Sequence, residues 1–188
     1  YLLDRNGNEV KQLSFPINSS LINNPISIFD YEKNRNYRVL ITEDNRIKMY
    51  DSNGRIVRGF KPPLFDSNII NSPVHIRIDG KDYIVVQLEN GSLKILDRRG
   101  RDRIIVDNKI QYSGNPIFNY LENFTTTDNL GNLIKIDTNG ILTKENLNLS
   151  GENFVDIVDN NLVYFNENKL TIKGITVELP FSKFSKPK

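Results

Sequence analysis

The sequence predicts an all-β fold and, within that class, a β-propeller. Three observations lead to this prediction. The 188 residues contain no alanine, they contain 26 asparagines and 23 isoleucines, and a short Asp-x-x-Gly pattern returns along the chain. Alanine is the strongest helix former, whereas β-branched residues favour strands and asparagine favours turns. The composition therefore argues against an α-rich fold, and the repeat indicates that one small β unit is used several times.

The repeat is centred on tight turns. Asp4-Arg5-Asn6-Gly7 returns as Asp51-Ser52-Asn53-Gly54, Asp97-Arg98-Arg99-Gly100 and Asp137-Thr138-Asn139-Gly140, with a degenerate copy at Lys173-Gly174. Alternating apolar and polar residues flank each copy. Because Gly and Asn accept positive φ, each copy predicts a β-hairpin. The glycines expected to have this structural role are Gly7, Gly54, Gly100 and Gly140.

A second pair of short strands is predicted upstream of each hairpin. One of the two follows a proline in the first three units, at Pro25, Pro73 and Pro116. Each unit is then a four-stranded meander of about 40 residues, which is the signature of a propeller blade. A β-sandwich has similar strand spacing, but it would not repeat one hairpin four times. We expect one propeller region over residues 1–188, with a half blade at 1–15 and blades at about 24–60, 72–106, 114–147 and 152–181.

Charge and composition exclude several classes of function. The net charge is +2, with 38% hydrophobic and 26% charged residues, so the chain is neither disordered nor polycationic, and nucleic acid is not an expected partner. Without cysteine there is no disulfide framework, thiolate nucleophile or zinc knuckle. No apolar run approaches the roughly 20 residues of a membrane span, so no transmembrane segment is predicted.

Two stretches carry a resemblance to a known superfamily. The unit from Val39 to Gly54, closing with Gly59-Phe60, and the unit from Ile84 to Gly100 resemble repeats of the quinoprotein-like (PQQ-like) propellers. More narrowly, the Asn/Ile/Lys-rich sequence resembles the C-terminal propeller of large flavobacterial (Bacteroidota) cell-envelope proteins. Some of these are labelled ribonuclease HII, but nothing in this sequence matches the acidic cluster of that enzyme.

The resemblance implies a scaffold more than an enzyme. The superfamily includes cofactor enzymes and also non-catalytic envelope proteins, such as the propeller lipoprotein of the outer-membrane β-barrel assembly machinery. Its quinoprotein dehydrogenases hold their cofactor between a tryptophan and a vicinal cysteine pair, and this chain contains neither residue type. We therefore expect no cofactor. The pattern contains about four blades and a half blade, fewer than the six to eight of such enzymes. Because it opens midway through a unit, we expect this chain to be part of a larger propeller in a longer protein.

The densest charge feature is the basic run Arg98, Arg99, Arg101 and Arg103, which spans one hairpin turn and is interrupted by Asp102. Guanidinium groups bind phosphate and carboxylate in a bidentate manner. The run is accordingly a candidate interaction surface for phosphate, lipid A or an acidic partner. Its structural alternative is a solvated loop, or edge strands guarded by charge.

Other polar residues offer weaker candidates. His75 is the single histidine and shares a strand face with Arg77, but a lone histidine builds neither a zinc site nor a Ser-His pair. The carboxylate pairs Asp79/Asp82 and Asp156/Asp159 suit acid–base chemistry, although aspartate in turns more often bonds local amides. The Asp-x-Asn-Gly turns supply too few alternating oxygen ligands for a calcium loop. No catalytic, cofactor or metal residue is predicted.

The functional expectation is a non-catalytic scaffold that binds other envelope proteins, in the periplasm or at the cell surface of a Gram-negative bacterium. The cytoplasm is left open as a location. The alternative is a carbohydrate- or ligand-binding propeller, or part of an enzyme whose site lies in other blades or another domain. Any membrane association is expected to pass through a partner or an anchor outside this chain.

Overall fold

The computed structural model describes residues 5–8, 24–150 and 153–180, and these form antiparallel sheets in which strands follow one another in chain order. Sheet 1 contains β1 (Ser27–Phe29), β2 (Arg38–Glu43) and β3 (Arg46–Asp51). Sheet 2 contains β4 (Val74–Ile78), β5 (Lys81–Gln87), β6 (Leu93–Leu96) and β7 (Asp102–Ile104). Sheet 3 contains β8 (Phe118–Tyr120), β9 (Asn123–Thr127), β10 (Asn132–Ile136) and β11 (Leu142–Asn146). Sheet 4 contains β12 (Asn153–Val158), β13 (Asn161–Asn166), β14 (Lys169–Ile172) and β15 (Ile175–Glu178).

The all-β prediction is confirmed, and the described residues contain no helix. Of the half blade expected at 1–15, only residues 5–8 belong to the described part. No helix in the described ranges is long and apolar enough to cross a membrane.

Sheet 1 lacks the full fourth strand that was expected over residues 55–60. That strand is reduced to a bridge between Tyr50 and Ile56, beside which the Val57 amide donates to the Met49 carbonyl oxygen at 2.8 Å. The chain then turns, because the Phe60 amide donates to the Val57 carbonyl oxygen at 3.0 Å. Phe60 is buried in the core between sheets 1 and 2. Burial of this side chain thus draws the chain away from the sheet edge.

The core lies between neighbouring sheets. In β5, alternate residues face opposite neighbours: Tyr83 and Val85 pack toward sheet 3, whereas Ile84 and Val86 pack toward sheet 1. Since both faces of sheet 2 are covered, six consecutive residues of β5 are buried. This arrangement explains why residues 83–86 form a continuous apolar run instead of an alternating one.

The first strands of consecutive sheets lie side by side, with β4 against β8 and β8 against β12. Reciprocal hydrogen bonds join the segments that begin sheets 1 and 2. The Ser27 hydroxyl donates to the Pro73 carbonyl oxygen at 2.5 Å, and the Ser72 hydroxyl donates to the Pro25 carbonyl oxygen at 2.8 Å. The sheets therefore radiate from a common inner edge formed by their first strands, as propeller blades do.

In sheets 2 and 3, the turn between the second and third strands touches main-chain atoms of the connection to the next sheet. These contacts set the spacing of the sheets at that end. A Cβ added to Gly91 would lie 2.8 Å from the Ile110 carbonyl oxygen, and one added to Gly131 would overlap the Leu149 carbonyl oxygen. Both glycines have positive φ. In each case a turn rests directly on the connection that leads to the next sheet.

Sheet 4 differs from sheet 2 because one of its faces is open. Strand pairing places Val158, Ile172, Ile175 and Val177 on the same face of this sheet. All four side chains are more than a third exposed. Sheet 2 is thus covered on both faces, whereas sheet 4, the last in chain order, has one exposed apolar face.

Candidate interaction surface

The turn between β6 and β7 is built on Asp97. Its Oδ1 accepts hydrogen bonds from the main-chain amides of Arg99 at 2.7 Å and Arg101 at 3.0 Å. The Gly100 amide closes the turn by donating to the Asp97 carbonyl oxygen at 3.0 Å. Partial burial opposes ionisation of Asp97, but the two amides outweigh it and hold its pKa below the ordinary value.

The same turn occurs in the neighbouring sheets. Asp51 Oδ1 accepts from the amides two and four residues ahead, both at 2.9 Å. Asp137 Oδ1 does so at 2.8 and 2.9 Å, and the amide of Ile141 is the main cause of a lowered Asp137 pKa. Gly54, Gly100 and Gly140 follow with φ of 73°, 81° and 84°. The Asp-x-x-Gly copies at residues 51–54, 97–100 and 137–140 therefore form the same hydrogen-bonded turn.

Two of these glycines also contact the preceding sheet. A Cβ on Gly100 would lie 2.6 Å from the Pro62 nitrogen, and a Cβ on Gly140 would overlap the Ile105 carbonyl oxygen. Gly7 also has positive φ but nothing within 4 Å of such a Cβ. At positions 100 and 140, glycine is thus required both by the backbone conformation and by the close approach of main-chain atoms.

Arg98 points inward from this turn. Its Nε donates to Asp82 Oδ2 at 2.7 Å, and its Nη2 donates both to the same oxygen and to Glu32 Oε1, the latter at 2.5 Å. The guanidinium carbon also lies 4.4 Å from the centre of the Tyr31 ring. Arg98 therefore joins sheets 1 and 2 and is not available as a free surface cation.

Asp82 is the centre of this ionic cluster. Its side chain is 2% exposed, and its Oδ1 lies 2.8 Å from His75 Nε2. Burial by itself would raise the pKa of Asp82, but hydrogen bonds from His75 and Arg98 outweigh it and lower that pKa. The buried carboxylate is accordingly held as the anion by hydrogen bonds from its own sheet, where Arg77 Nε also lies 3.7 Å from Asp82 Oδ1.

Aromatic rings enclose His75. Its ring is stacked on Phe29 with centres 4.7 Å apart, and it meets Tyr31 edge-on at 5.1 Å. Burial raises the pKa of Tyr31 to about 12. The histidine thus contributes to the packing between sheets 1 and 2, and its Nε2 is already bonded to Asp82.

The remaining arginines of the basic run separate into two groups. Arg103 lies over the Tyr83 ring, at 5.4 Å. Arg99 and Arg101 instead line a concavity of about 540 Å³ together with Arg58, Gly59 and Lys61 from the end of sheet 1. The structure therefore places Arg99 and Arg101 in one concavity and directs Arg98 and Arg103 to other contacts. Two further cations, about 40 residues earlier in the chain, line the same concavity.

No sequence pattern marks Arg58 and Lys61 as neighbours of Arg99. Their proximity arises from a main-chain hydrogen bond between sheets, in which the Lys61 amide donates to the Arg99 carbonyl oxygen at 2.8 Å. The only available signal was their position in the connection just after the first hairpin.

Asp79, Asp156 and Asp159, the remaining carboxylates of the two candidate pairs, lie in turns or bond nearby amides. Asp79 and Asp159 have positive φ in tight turns. Asp156 Oδ1 accepts from the Ile157 amide at 2.7 Å. Among the described residues, no group of three or more His, Cys, Asp or Glu side chains is placed to hold a metal ion.

A buried polar network between sheets 2, 3 and 4 was not anticipated. Asn115 Nδ2 donates to Thr127 Oγ1 and to Asn153 Oδ1, both at 2.8 Å. Gln87 Nε2 donates to the Asn115 carbonyl oxygen at 3.5 Å. The side chains of Gln87 and Asn115 are almost fully buried. These bonds connect three sheets near their inner edge, so we assign them a structural role.

Comparison with known proteins identifies the fold. No family model and no curated protein matches this sequence. Among solved structures, BamB from Moraxella catarrhalis aligns with 82% of this chain and 48% of its own, at 14% identity and a TM-score of 0.56. Streptogramin B lyase aligns with 86% of this chain and 56% of its own, at 20% identity and a TM-score of 0.58. BBS1N, solved in complex with ARL6DN, aligns with 82% of this chain and 55% of its own, at 18% identity and a TM-score of 0.53.

These similarities confirm the β-propeller prediction. The chain spans about half the length of each of these three structures. At such low identity the similarity extends to the fold, and function must be argued from this chain's own residues.

Proposed function

We propose that this chain is a non-catalytic β-propeller scaffold that binds protein partners in a complex of the bacterial cell envelope. The observation that carries the proposal is the positively charged surface where the Asp97 turn meets the end of sheet 1, because main-chain contacts hold these two segments together. The Lys61 amide bonds to the Arg99 carbonyl oxygen, and Gly100 rests on Pro62. Because main-chain contacts hold the two sheets together there, the side chains are displayed on a surface that needs little ordering when a partner binds.

The solved structures support an interaction role. BBS1N was crystallised in complex with ARL6DN, so a chain of similar fold is found in a protein complex. The envelope location rests on the resemblance of the sequence to flavobacterial envelope propellers and on the similarity to BamB. Loops at the ends of a rigid fold are where binding residues are most often found.

A ligand-binding or catalytic propeller is the second candidate. It is favoured by the similarity to streptogramin B lyase and by the His75–Asp82 pair. In this chain, however, the Nε2 of His75 is occupied by Asp82 and the ring packs between aromatic side chains. The His75 side chain is only 14% exposed, so its ring offers a substrate little access.

Site-specific photo-crosslinking in the native cell tests the scaffold. A photoreactive residue would replace the exposed residues Thr138, Asn129 and Lys169 of the full-length protein in turn, with the buried Val86 as the control position. We expect a discrete crosslinked protein from at least one exposed position, in the envelope fraction. The proposal is overturned if no exposed position captures a protein, or if the purified protein turns over a substrate and the His75→Asn variant does not.

A further inference from the structure

The concavity beside the Asp97 turn has an unusual charge. It is lined by Arg58, Gly59, Lys61, Arg99 and Arg101, so four of its five residues are cations and none is an acid. Arg58, Lys61 and Arg99 form no side-chain ion pair with any described residue. Arg101 lies 3.7 Å from Asp97, a carboxylate whose other oxygen is bound by the turn amides. The positive charge of this surface is therefore largely uncompensated within the described chain.

Several cations elsewhere in the molecule are compensated by acids. Arg98 bonds Asp82 and Glu32, Lys48 bonds Glu43 at 2.7 Å, and Lys135 bonds Glu145 at 2.6 Å. A concavity of about 480 Å³ at the opposite end of sheets 2 and 3 contains both Lys109 and Glu89 in its lining. The concavity beside Asp97 thus gathers four cations without an acid, whereas the one at the opposite end balances a lysine with a glutamate.

The turn itself does not require these cations. At the positions two and four residues after the turn aspartate, sheet 2 has Arg99 and Arg101, whereas sheet 3 has Asn139 and Ile141. The hydrogen bonds of the two turns are nevertheless the same. Like charges placed close together repel and cost stability. Since the same turn forms in sheet 3 without arginines, we look for the partner of Arg99 and Arg101 outside the described residues.

We infer that this basic concavity binds an acidic peptide segment of a protein partner. Guanidinium groups bind carboxylates through paired hydrogen bonds, and Arg clusters are a common means of recognising acidic motifs. The cations come from two separate elements around an open concavity, which suits several carboxylates along an extended chain better than one small anion. The exposed Gly59 adds main chain that a peptide can approach closely. This inference rests on the proposed scaffold function and specifies its partner.

Fluorescence anisotropy with a fluorescein-labelled oligoglutamate peptide tests the inference on the purified full-length protein. We expect saturable binding that weakens as salt is added, because exposed charges are screened beyond about 10 Å at 0.1 M ionic strength. The Arg99→Gln/Arg101→Gln variant should bind about tenfold more weakly, since both charge-assisted contacts are lost. The matched control Arg55→Gln/Lys169→Gln removes two exposed cations elsewhere and should change the affinity by less than about twofold.

Two further arms distinguish carboxylate from phosphate ligands. Inorganic phosphate is added as a competitor, and vesicles of phosphatidylglycerol are tested by co-sedimentation. The inference is overturned if phosphate displaces the peptide at a concentration equal to that of the peptide. It is also overturned if the peptide does not bind, while the protein binds vesicles and the Arg99→Gln/Arg101→Gln variant does not. Equal weakening by both double variants also overturns it. If the peptide fails to bind while the crosslinks at Thr138, Asn129 or Lys169 persist, the acidic-segment inference is wrong and the scaffold proposal stands.

Discussion

The Asp97 turn of sheet 2 and the Asp137 turn of sheet 3 share a backbone but differ in surface. In both, the aspartate accepts from the amides two and four residues ahead, and a glycine with positive φ rests on the preceding sheet. One turn carries Arg98, Arg99 and Arg101, and the other carries Thr138, Asn139 and Ile141. The comparison separates the aspartate and glycine that form the turn from the other turn residues, whose side chains differ in what they contact. Three predictions test that separation.

The largest effect is expected at Gly140. Alanine in a left-handed conformation costs about 1 kcal/mol. At Gly140 the new Cβ would also overlap the Ile105 carbonyl oxygen, and forcing the sheets apart adds about 2 kcal/mol. Gly140→Ala should therefore lower the free energy of unfolding by about 3 kcal/mol, as measured by urea denaturation.

Gly174→Ala is the matched control for this prediction. Gly174 has φ of 75°, but nothing lies within 4 Å of its added Cβ. It should lose only the conformational contribution of about 1 kcal/mol. Equal losses at the two positions would show that the contact between the Asp137 turn and sheet 2 contributes nothing to stability.

The second effect compares adjacent arginines of one turn. Arg98→Met leaves Asp82, 2% exposed, with His75 at 2.8 Å and Arg77 at 3.7 Å as its remaining partners. Removing one partner of a buried ion pair costs 3–5 kcal/mol as a rule, and because the Arg98 side chain is 42% exposed we expect about 2 kcal/mol.

Arg99→Met should change the free energy of unfolding by less than about 0.5 kcal/mol, because this side chain makes no ion pair with the described residues. Both variants are compared by urea denaturation at neutral pH. If Arg99→Met proves as destabilising as Arg98→Met, the division of the turn into an inward and an outward arginine is mistaken.

The smallest effect concerns acid. Folding lowers the pKa of Asp97 and of Asp137 below the ordinary 3.8. Their contribution to stability is therefore present above pH 3.8 and is lost as the pH falls through the lower folded values. Asparagine keeps the oxygen that accepts the amide bonds but does not titrate in this range. Asp97→Asn and Asp137→Asn should each make the loss of stability below pH 3.8 less steep, as followed by urea denaturation at successive pH values.

Asp102→Asn is the control for acid sensitivity. Asp102 is exposed and has no hydrogen bond or ion pair to another described side chain, so its replacement leaves the turn hydrogen bonds of Asp97 and Asp137 intact. If the Asp97 and Asp137 variants lose stability below pH 3.8 as steeply as the parent, the acid sensitivity arises outside these turns.

Most of the fold was predictable from the sequence because it depends on local patterns. The Asp-x-x-Gly pattern marked the hairpins at residues 97–100 and 137–140, and alternation marked the strands beside them. The fourth strand of sheet 1 was predicted incorrectly, since alternation over 55–60 does not reveal that Phe60 is buried between two sheets.

The candidate surface was less predictable because it depends on contacts between distant segments. Arg98 and Arg99 are equivalent as sequence. Only the placement of Asp82 and Tyr31, on other strands, decides which arginine turns inward. In the same way, Lys61 joins Arg99 through a bond between sheets that no spacing along the chain indicates.

The main-chain contacts at Gly91 and Gly131 have a consequence for modularity. Where a turn touches the next connection without an intervening side chain, the pitch from one blade to the next is set by backbone atoms. Core side chains can then differ from one blade interface to another while the pitch stays constant. A propeller made in this way behaves as an array of interchangeable modules. The sequence at the outer edge of one blade can be exchanged while the neighbouring blades keep their positions.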